Sequence, residues 1–320
     1  MADHGYEGGR LDLPFVGHCT FGKSTPVTDW HNIDADVAVL GVPIDTGTQY
    51  RSGARFGPRA IREASTLFSF GHGGAYDHED DVTYLPKGQV RMVDAGDVDV
   101  VHTDHMKSLD NTEKAVRQLV RSGALPVMLG GDHSVSTPNI AAFEEHGPIH
   151  VIQFDAHLDF VDERHGVRFG HGNPMRRASE MDHVTGLTQL GIRNVSSTAR
   201  EGYVDARERG SSILSVRQIR AMGKEAVLAQ IPEGKDYYIT IDIDGFDPSI
   251  APGTGTPSHG GFLYYDVMEL LQGISKRGRI VGVDIVEVAP AYDPAGVTSI
   301  LAAQVLLNLL GYIFHERQNA

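Results

Sequence analysis

Apolar residues gather in short runs that recur along the chain, each closed by polar or glycine residues. Val37 to Val42, ended by Pro43, is nearly all apolar and predicts a buried strand. Gly57 supplies a turn, and Pro58 suits the first turn of a helix running through about Leu67. The alternation continues. Val90–Val93 predicts a strand closed by Asp94-Ala95-Gly96-Asp97, then Thr112–Ser122 a helix, Leu125–Leu129 a strand, a helix after Pro138, and His150–Phe154 a strand. Further strands are predicted over Leu187–Ile192, Ile213–Val216, Tyr237–Ile241 and Ile280–Ile285. Helices are predicted over Val216–Ala229, Tyr265–Ser275 and, as a long C-terminal element, Ser299–Phe314. Continuous apolar strands alternating with helices imply an α/β fold: one three-layer domain with a mostly parallel central sheet covered by helices on both faces. Residues 1–34 carry no sustained period and read as an N-terminal arm or lid, leaving 35–320 as the single main domain. No internal repeat or low-complexity tract interrupts it.

In such folds, chemistry collects beyond the carboxyl ends of the strands. Gly130-Gly131-Asp132-His133 follows the Leu125 strand, and Asp155-Ala156-His157-Leu158-Asp159 follows the His150 strand. Asp242-Ile243-Asp244-Gly245-Phe246-Asp247-Pro248 follows the Tyr237 strand, and Asp284-Ile285-Val286-Glu287 ends the Ile280 strand. If the strands are parallel, all four clusters meet on one rim. On extended backbone the spacing of Asp155, His157 and Asp159 aims the three side chains to one side, and Asp242 with Asp244 repeats the pattern. Carboxylates packed this closely disfavour one another's ionisation, and divalent cations remove the conflict. Oxygen and imidazole ligands without thiolate suit manganese and tolerate zinc, iron or cobalt. Any one of these segments alone is as well read as a strand-end turn. Their joint occurrence after separate strands favours a shared metal site.

Charge and composition narrow the partners. The 320 residues carry a formal net charge of −14, from 42 acidic and 28 basic side chains. That disfavours nucleic acid and anionic membranes and is compatible with a cationic substrate. The single cysteine, Cys19, excludes an internal disulfide and a thiolate zinc site. No continuous apolar run reaches the ~18–20 residues of a membrane span, and Met1–Arg10 is too polar for a secretory leader. A cytoplasmic protein is expected.

At these clusters the chain resembles the ureohydrolase family of arginases, agmatinases and related guanidino hydrolases. The likeness runs from about Val37 to the C-terminus. Beyond the clusters it includes Gly53-Ala54-Arg55-Phe56-Gly57-Pro58, Ala251-Pro252-Gly253-Thr254-Gly255-Thr256-Pro257 and Val286-Glu287-Val288-Ala289-Pro290. Its texture is nearest to agmatinases. The resemblance implies an arginase-like fold and two Mn2+ per subunit. One ion would be held by His133, Asp155, Asp159 and Asp242, and the other by Asp155, His157, Asp242 and Asp244. It further implies that Glu287 pairs with the substrate guanidinium, that His171 shuttles protons, that Asp159 moves a proton to the leaving amine, and that Thr256 and Asn173 border the substrate. The implied reaction is hydrolysis of a small guanidino compound to urea and an amine, in a homo-oligomer, trimer or hexamer.

The chain also departs from its relatives. Leu158 and Phe160 stand where small or hydroxyl residues are usual, predicting a more apolar pocket rim. Asn173 stands where threonine is common, and Gly17–Lys23 does not match the arm of agmatinase-like chains. The substrate tail therefore stays open between agmatine, a guanidino acid as in guanidinobutyrases, and a smaller guanidine. Arg164, Arg168, Arg193 and Asn194 are candidates to meet a carboxylate tail. An inactive metal-binding scaffold is the alternative of another class. His72, His78, His102, His105 and His165 belong to no motif and read as surface or loop residues, and Tyr264 and Tyr265 as packing at a helix start.

Overall fold

The computed structural model describes residues 13–68, 74–86, 88–196 and 198–319. Residues 1–12 of the arm, and His72, lie outside them. The elements follow in chain order as β1 (Thr25–Pro26), β2 (Val37–Val42), α1 (Gly57–Ser65), β3 (Ala75–Asp77), β4 (Val82–Tyr84) and β5 (Met92–Asp97). Next come α2 (His105–Ser122), β6 (Leu125–Gly130), α3 (Ser136–Ala141), β7 (Ile149–Phe154), α4 (Pro174–Ala178), β8 (Val184–Leu190) and α5 (Arg200–Glu208). The chain ends with β9 (Ser211–Leu214), α6 (Val216–Met222), α7 (Lys224–Leu228), β10 (Asp236–Asp242), α8 (Tyr264–Ser275), β11 (Arg279–Val286) and α9 (Val297–Asn319).

Among the described residues nine strands form one sheet, in the order β1-β5-β2-β6-β11-β10-β7-β8-β9. Every pairing in it is parallel. Alternate residues of each strand therefore feed two separate cores. Val37, Val39, Tyr237, Ile239 and Ile241 face the layer of α1, α6, α7, α8 and α9. Ala38, Leu40, Val42 and Tyr238 face the layer of α2, α3, α4 and α5. This is the three-layer α/β domain that the sequence pattern predicts.

The differences have local causes. β5 runs on through Asp94-Ala95-Gly96-Asp97, expected as a loop, because Arg62 neutralises the buried Asp94 with hydrogen bonds of 2.8 and 3.0 Å to its two oxygens. The helix expected over Val216–Ala229 is two, broken at Gly223, whose φ of 79° and ψ of 158° leave the helical region. The arm contributes β1, a two-residue edge strand on β5, and seats Phe21 in the core with its amide on Asp94 Oδ2 at 2.8 Å. α9 is long and apolar enough by composition to cross a membrane, although polar residues interrupt its sequence. In the fold, 72% of its most apolar window is buried, which makes it the central helix of one layer.

Candidate metal centre

β6, β11, β10 and β7 are adjacent in the middle of the sheet, and their carboxyl ends share one rim. His133 follows β6, Asp155 to Asp159 follow β7, Asp242 closes β10, and Glu287 follows β11. Close packing there requires Gly131, where any Cβ would fall on the carbonyl oxygen of Ile44. Asp132 pins the facing loop by accepting the Gly47 amide at 2.7 Å and the Ser134 amide at 2.9 Å.

Nδ1 of His133 lies 3.1 Å from Asp155 Oδ2, 2.9 Å from Asp159 Oδ2 and 3.2 Å from Asp242 Oδ2. Nδ1 of His157 lies 3.0 Å from Asp244 Oδ2 and 3.6 Å from Asp155 Oδ1. Asp155 thus belongs to two groups that could each hold an ion, His133-Asp155-Asp242 and Asp155-His157-Asp244. The side chains do not converge by strand alternation. Residues 155–160 leave the strand, and Asp159 turns back with φ of +51°, a left-handed conformation that costs energy without glycine. The amides of Met175 and Arg176 hold its carbonyl there at 3.1 and 3.3 Å. Asp242 likewise opens a 3-10 turn, with Oδ1 accepting the Asp244 amide at 2.8 Å.

The charges conflict. Burial, joined by the Asp244 and Asp155 charges, pushes Asp242 well above the carboxylate range, and burial with the Asp155 charge pushes Asp159 up to about 6. Asp244 leads in holding His157 far above the usual imidazole value. Burial opposes a charge on His133, but Asp155, Asp159 and Asp242 outweigh it. Yet Nδ1 of His133 is buried with no hydrogen bond. The ring spends its other nitrogen on Thr240 Oγ1 at 3.0 Å. A cation at the centre of these oxygens would take the place of a proton on Nδ1 and relieve the conflict among them, so this donor set suits a metal. Among the described residues these two are the only clusters of three or more histidine and carboxylate side chains close enough to share an ion.

Glu287 and His171 sit beside the cluster. Glu287, also left-handed with φ of +64°, accepts the His133 amide and His171 Nδ1, each at 3.0 Å, on Oε1. Nε2 of His171 receives the Gln49 amide at 3.2 Å, a contact that only the neutral ring can make. Burial opposes a charge on His171, but the Glu287 carboxylate raises it to about 9, so the ring readily takes a proton at the expense of that contact. Thr256 touches the centre with its hydroxyl, which donates to Asp244 Oδ2 at 3.0 Å.

Other expected site residues are engaged elsewhere. Asn173 donates its Nδ2 to Val161 O at 2.6 Å and accepts the Gly170 amide on Oδ1 at 2.8 Å, locking the loop that carries His171. Leu158 and Phe160, expected on the rim, are buried instead, because both side chains pack into the apolar core of the α2–α5 layer. Arg193 donates to backbone carbonyls, including Asp244 O at 2.6 Å and Ser258 O at 2.7 Å, and Asn194 to Ser258 Oγ and His259 O. Arg168 pairs with Asp162 and Glu180. Arg164 reaches the His171 side, donating to Gln49 Oε1. Sequence reading missed Gln153, whose amide donates to Asp155 Oδ2 at 2.6 Å and is itself held by Gln189 at 2.6 Å. Its signal was a polar residue two positions before Asp155 in a mostly apolar strand.

Comparison with known proteins agrees with the fold. The arginase family model matches residues 35–311. The chain is 35% identical over 301 residues to the mitochondrial guanidino acid hydrolase of Homo sapiens, covering 92% of this chain and 82% of that one. It is 36% identical over 307 residues to the mitochondrial agmatinase of Gallus gallus, covering 92% and 85%. The solved structure of proclavaminate amidino hydrolase from Streptomyces clavuligerus superposes with a TM-score of 0.85 at 32% identity, over 94% of this chain and 99% of that one. The chain belongs to the arginase family and is a hydrolase of that family.

Proposed function

We propose that this protein hydrolyses a guanidino compound to urea and an amine at a two-manganese centre. The observation that carries this reading is the buried His133 Nδ1, without a hydrogen bond among three carboxylates, with Glu287 beside it. His133, Asp155, Asp159 and Asp242 would hold one ion, and Asp155, His157, Asp242 and Asp244 the other. Bound there, divalent cations would lower the pKa of water and so supply a nucleophile near neutral pH. A guanidinium is resonance-stabilised and a poor electrophile, so its carbon must be held in place. Glu287 can do that through charge-assisted hydrogen bonds to the planar cation. Asp159 then moves a proton to the leaving amine, and His171, the more exposed partner of Glu287, exchanges protons with solvent.

The tail is assigned as in agmatinases, a short chain ending in an amine, which agrees with the motif texture and with the net charge of −14. A second reading, a guanidino acid, is favoured by Arg164, which reaches Gln49 beside His171. Urea release from agmatine, 4-guanidinobutanoate and 3-guanidinopropanoate after manganese loading tests both. Urea from agmatine alone supports the first reading. Urea from the acids, with a KM that rises in Arg164→Gln, replaces it with the second. Urea from no guanidine overturns the proposal.

A further inference from the structure

Behind His133 lies a buried polar chain that the reaction itself does not use. Nε2 of His133 is 3.0 Å from Thr240 Oγ1, which is 3.3 Å from Ser136 Oγ, which is 2.8 Å from Asp284 Oδ2. All four side chains are fully buried, in the middle of the sheet and at the start of α3.

Hydroxyl groups have one proton each, so the direction of such a chain is fixed by its ends. Asp284 Oδ2 also accepts Tyr238 Oη at 2.6 Å and Asn139 Nδ2 at 3.1 Å. Burial, and then the Asp284 charge, keep the Tyr238 phenol protonated, so it donates. Asp284 is therefore an acceptor for every neighbour, and the Ser136 hydroxyl must point its proton at it. Ser136 Oγ can then only accept from Thr240, and Thr240 Oγ1 can only accept from His133. Nε2 of the neutral ring is thus the nitrogen that keeps its proton. Nδ1 is left as a lone pair facing Asp155, Asp159 and Asp242, the atom that lacks a hydrogen bond. Reversing the chain would put the proton on Nδ1 and close the ring to a cation.

We propose that Asp284 is a positioning residue that, through Ser136 and Thr240, sets the tautomer of His133 and thereby the affinity of one half of the centre for its ion. The inference rests on the reading that the cluster binds metal. Nothing in the relay reaches His157 or Asp244, so its effect is confined to the half that His133 serves. Partners behind a ligating imidazole commonly change metal affinity by about 10–100-fold.

The test is calorimetric titration of Mn2+ into metal-stripped protein, with thermal melts as a check on folding. Thr240→Val keeps the side-chain shape and removes the hydroxyl. It is expected to weaken one of two sites by about 10–100-fold and leave the other unchanged. Thr240→Ser keeps the hydroxyl and restores the wild-type isotherm. Asp284→Asn, which removes the charge, weakens the same site by about tenfold. Both sites unchanged in Thr240→Val, both weakened together, or Thr240→Ser failing like Thr240→Val would each overturn the relay. Asp284→Asn binding as wild type would overturn the part given to Asp284. Wild-type protein that binds no Mn2+ would instead refute the metal reading on which the relay depends.

Discussion

Nδ1 of His133 and Oδ2 of Asp159 stand 2.9 Å apart with no hydrogen bond between them. Two buried polar atoms at that distance would repel if both presented lone pairs to each other and nothing else. Their approach is held by the rest of the fold: the left-handed turn at Asp159, the packing of Gly131 on Ile44, and the relay behind the ring. The fold thus imposes a polar geometry whose conflict a cation relieves.

His171 and Glu287 give the site a pH signature. Glu287 raises His171 from the ordinary imidazole value near 6.5 to about 9, against the effect of burial. A raised pKa means that the folded chain binds the proton more tightly than the unfolded one. The stability it brings is complete below about pH 6.5 and fades as pH rises through about 9. A step that needs a proton from His171 falls over the same limb. His171→Asn should lower kcat/KM by about 10²–10⁴-fold and abolish the limb near pH 9. A variant profile with that limb unchanged assigns the proton elsewhere.

Gly131 has no room for a methyl group. Gly131→Ala should cost about 3 kcal/mol or more, because the obstacle is the Ile44 carbonyl and not a movable side chain. Urea unfolding checks the cost. A stability within error of wild type would mean that the Ile44 loop can yield.

Arg62 is the buried cation that lets Asp94 sit inside a strand. Arg62→Ala strands that carboxylate and should destabilise the protein by about 3–5 kcal/mol. The same change loosens the arm, since the Phe21 amide shares Asp94 Oδ2 with the guanidinium. Unfolding by denaturant measures the first effect, and amide exchange at Phe21 the second. An unchanged exchange rate would separate the arm from the ion pair.

Much of this architecture could be read from sequence, because parallel strands buried on both faces announce themselves as apolar runs. His133, Asp155, Asp242 and Glu287 follow such runs, so their convergence needed only parallel pairing. What stayed hidden was polar residues inside the runs. Thr240 and Gln153 have no motif around them, and only the fold shows that each supports a neighbour at the strand end. Asp94 looked like the end of a strand because its neutralising partner is 32 residues away. Arg193 looked available for a substrate tail because nothing local shows that its donors meet backbone carbonyls near Asp244 and Ser258. Spacing within Asp155-Ala156-His157-Leu158-Asp159 suggested alternation, whereas the turn at Asp159 does the work.

The central claim is that the carboxylate and histidine cluster holds two divalent cations, and counting bound ions tests it most directly. Elemental analysis of manganese-loaded protein, after removal of free ion, should give two per chain. Asp155→Ala removes the residue common to both groups. It should lose bound ion and at least about 100-fold in urea release, beyond the about 10–100-fold typical of a supporting residue. Wild-type protein without bound ion, or an Asp155→Ala variant that keeps two ions and full turnover, would contradict the account.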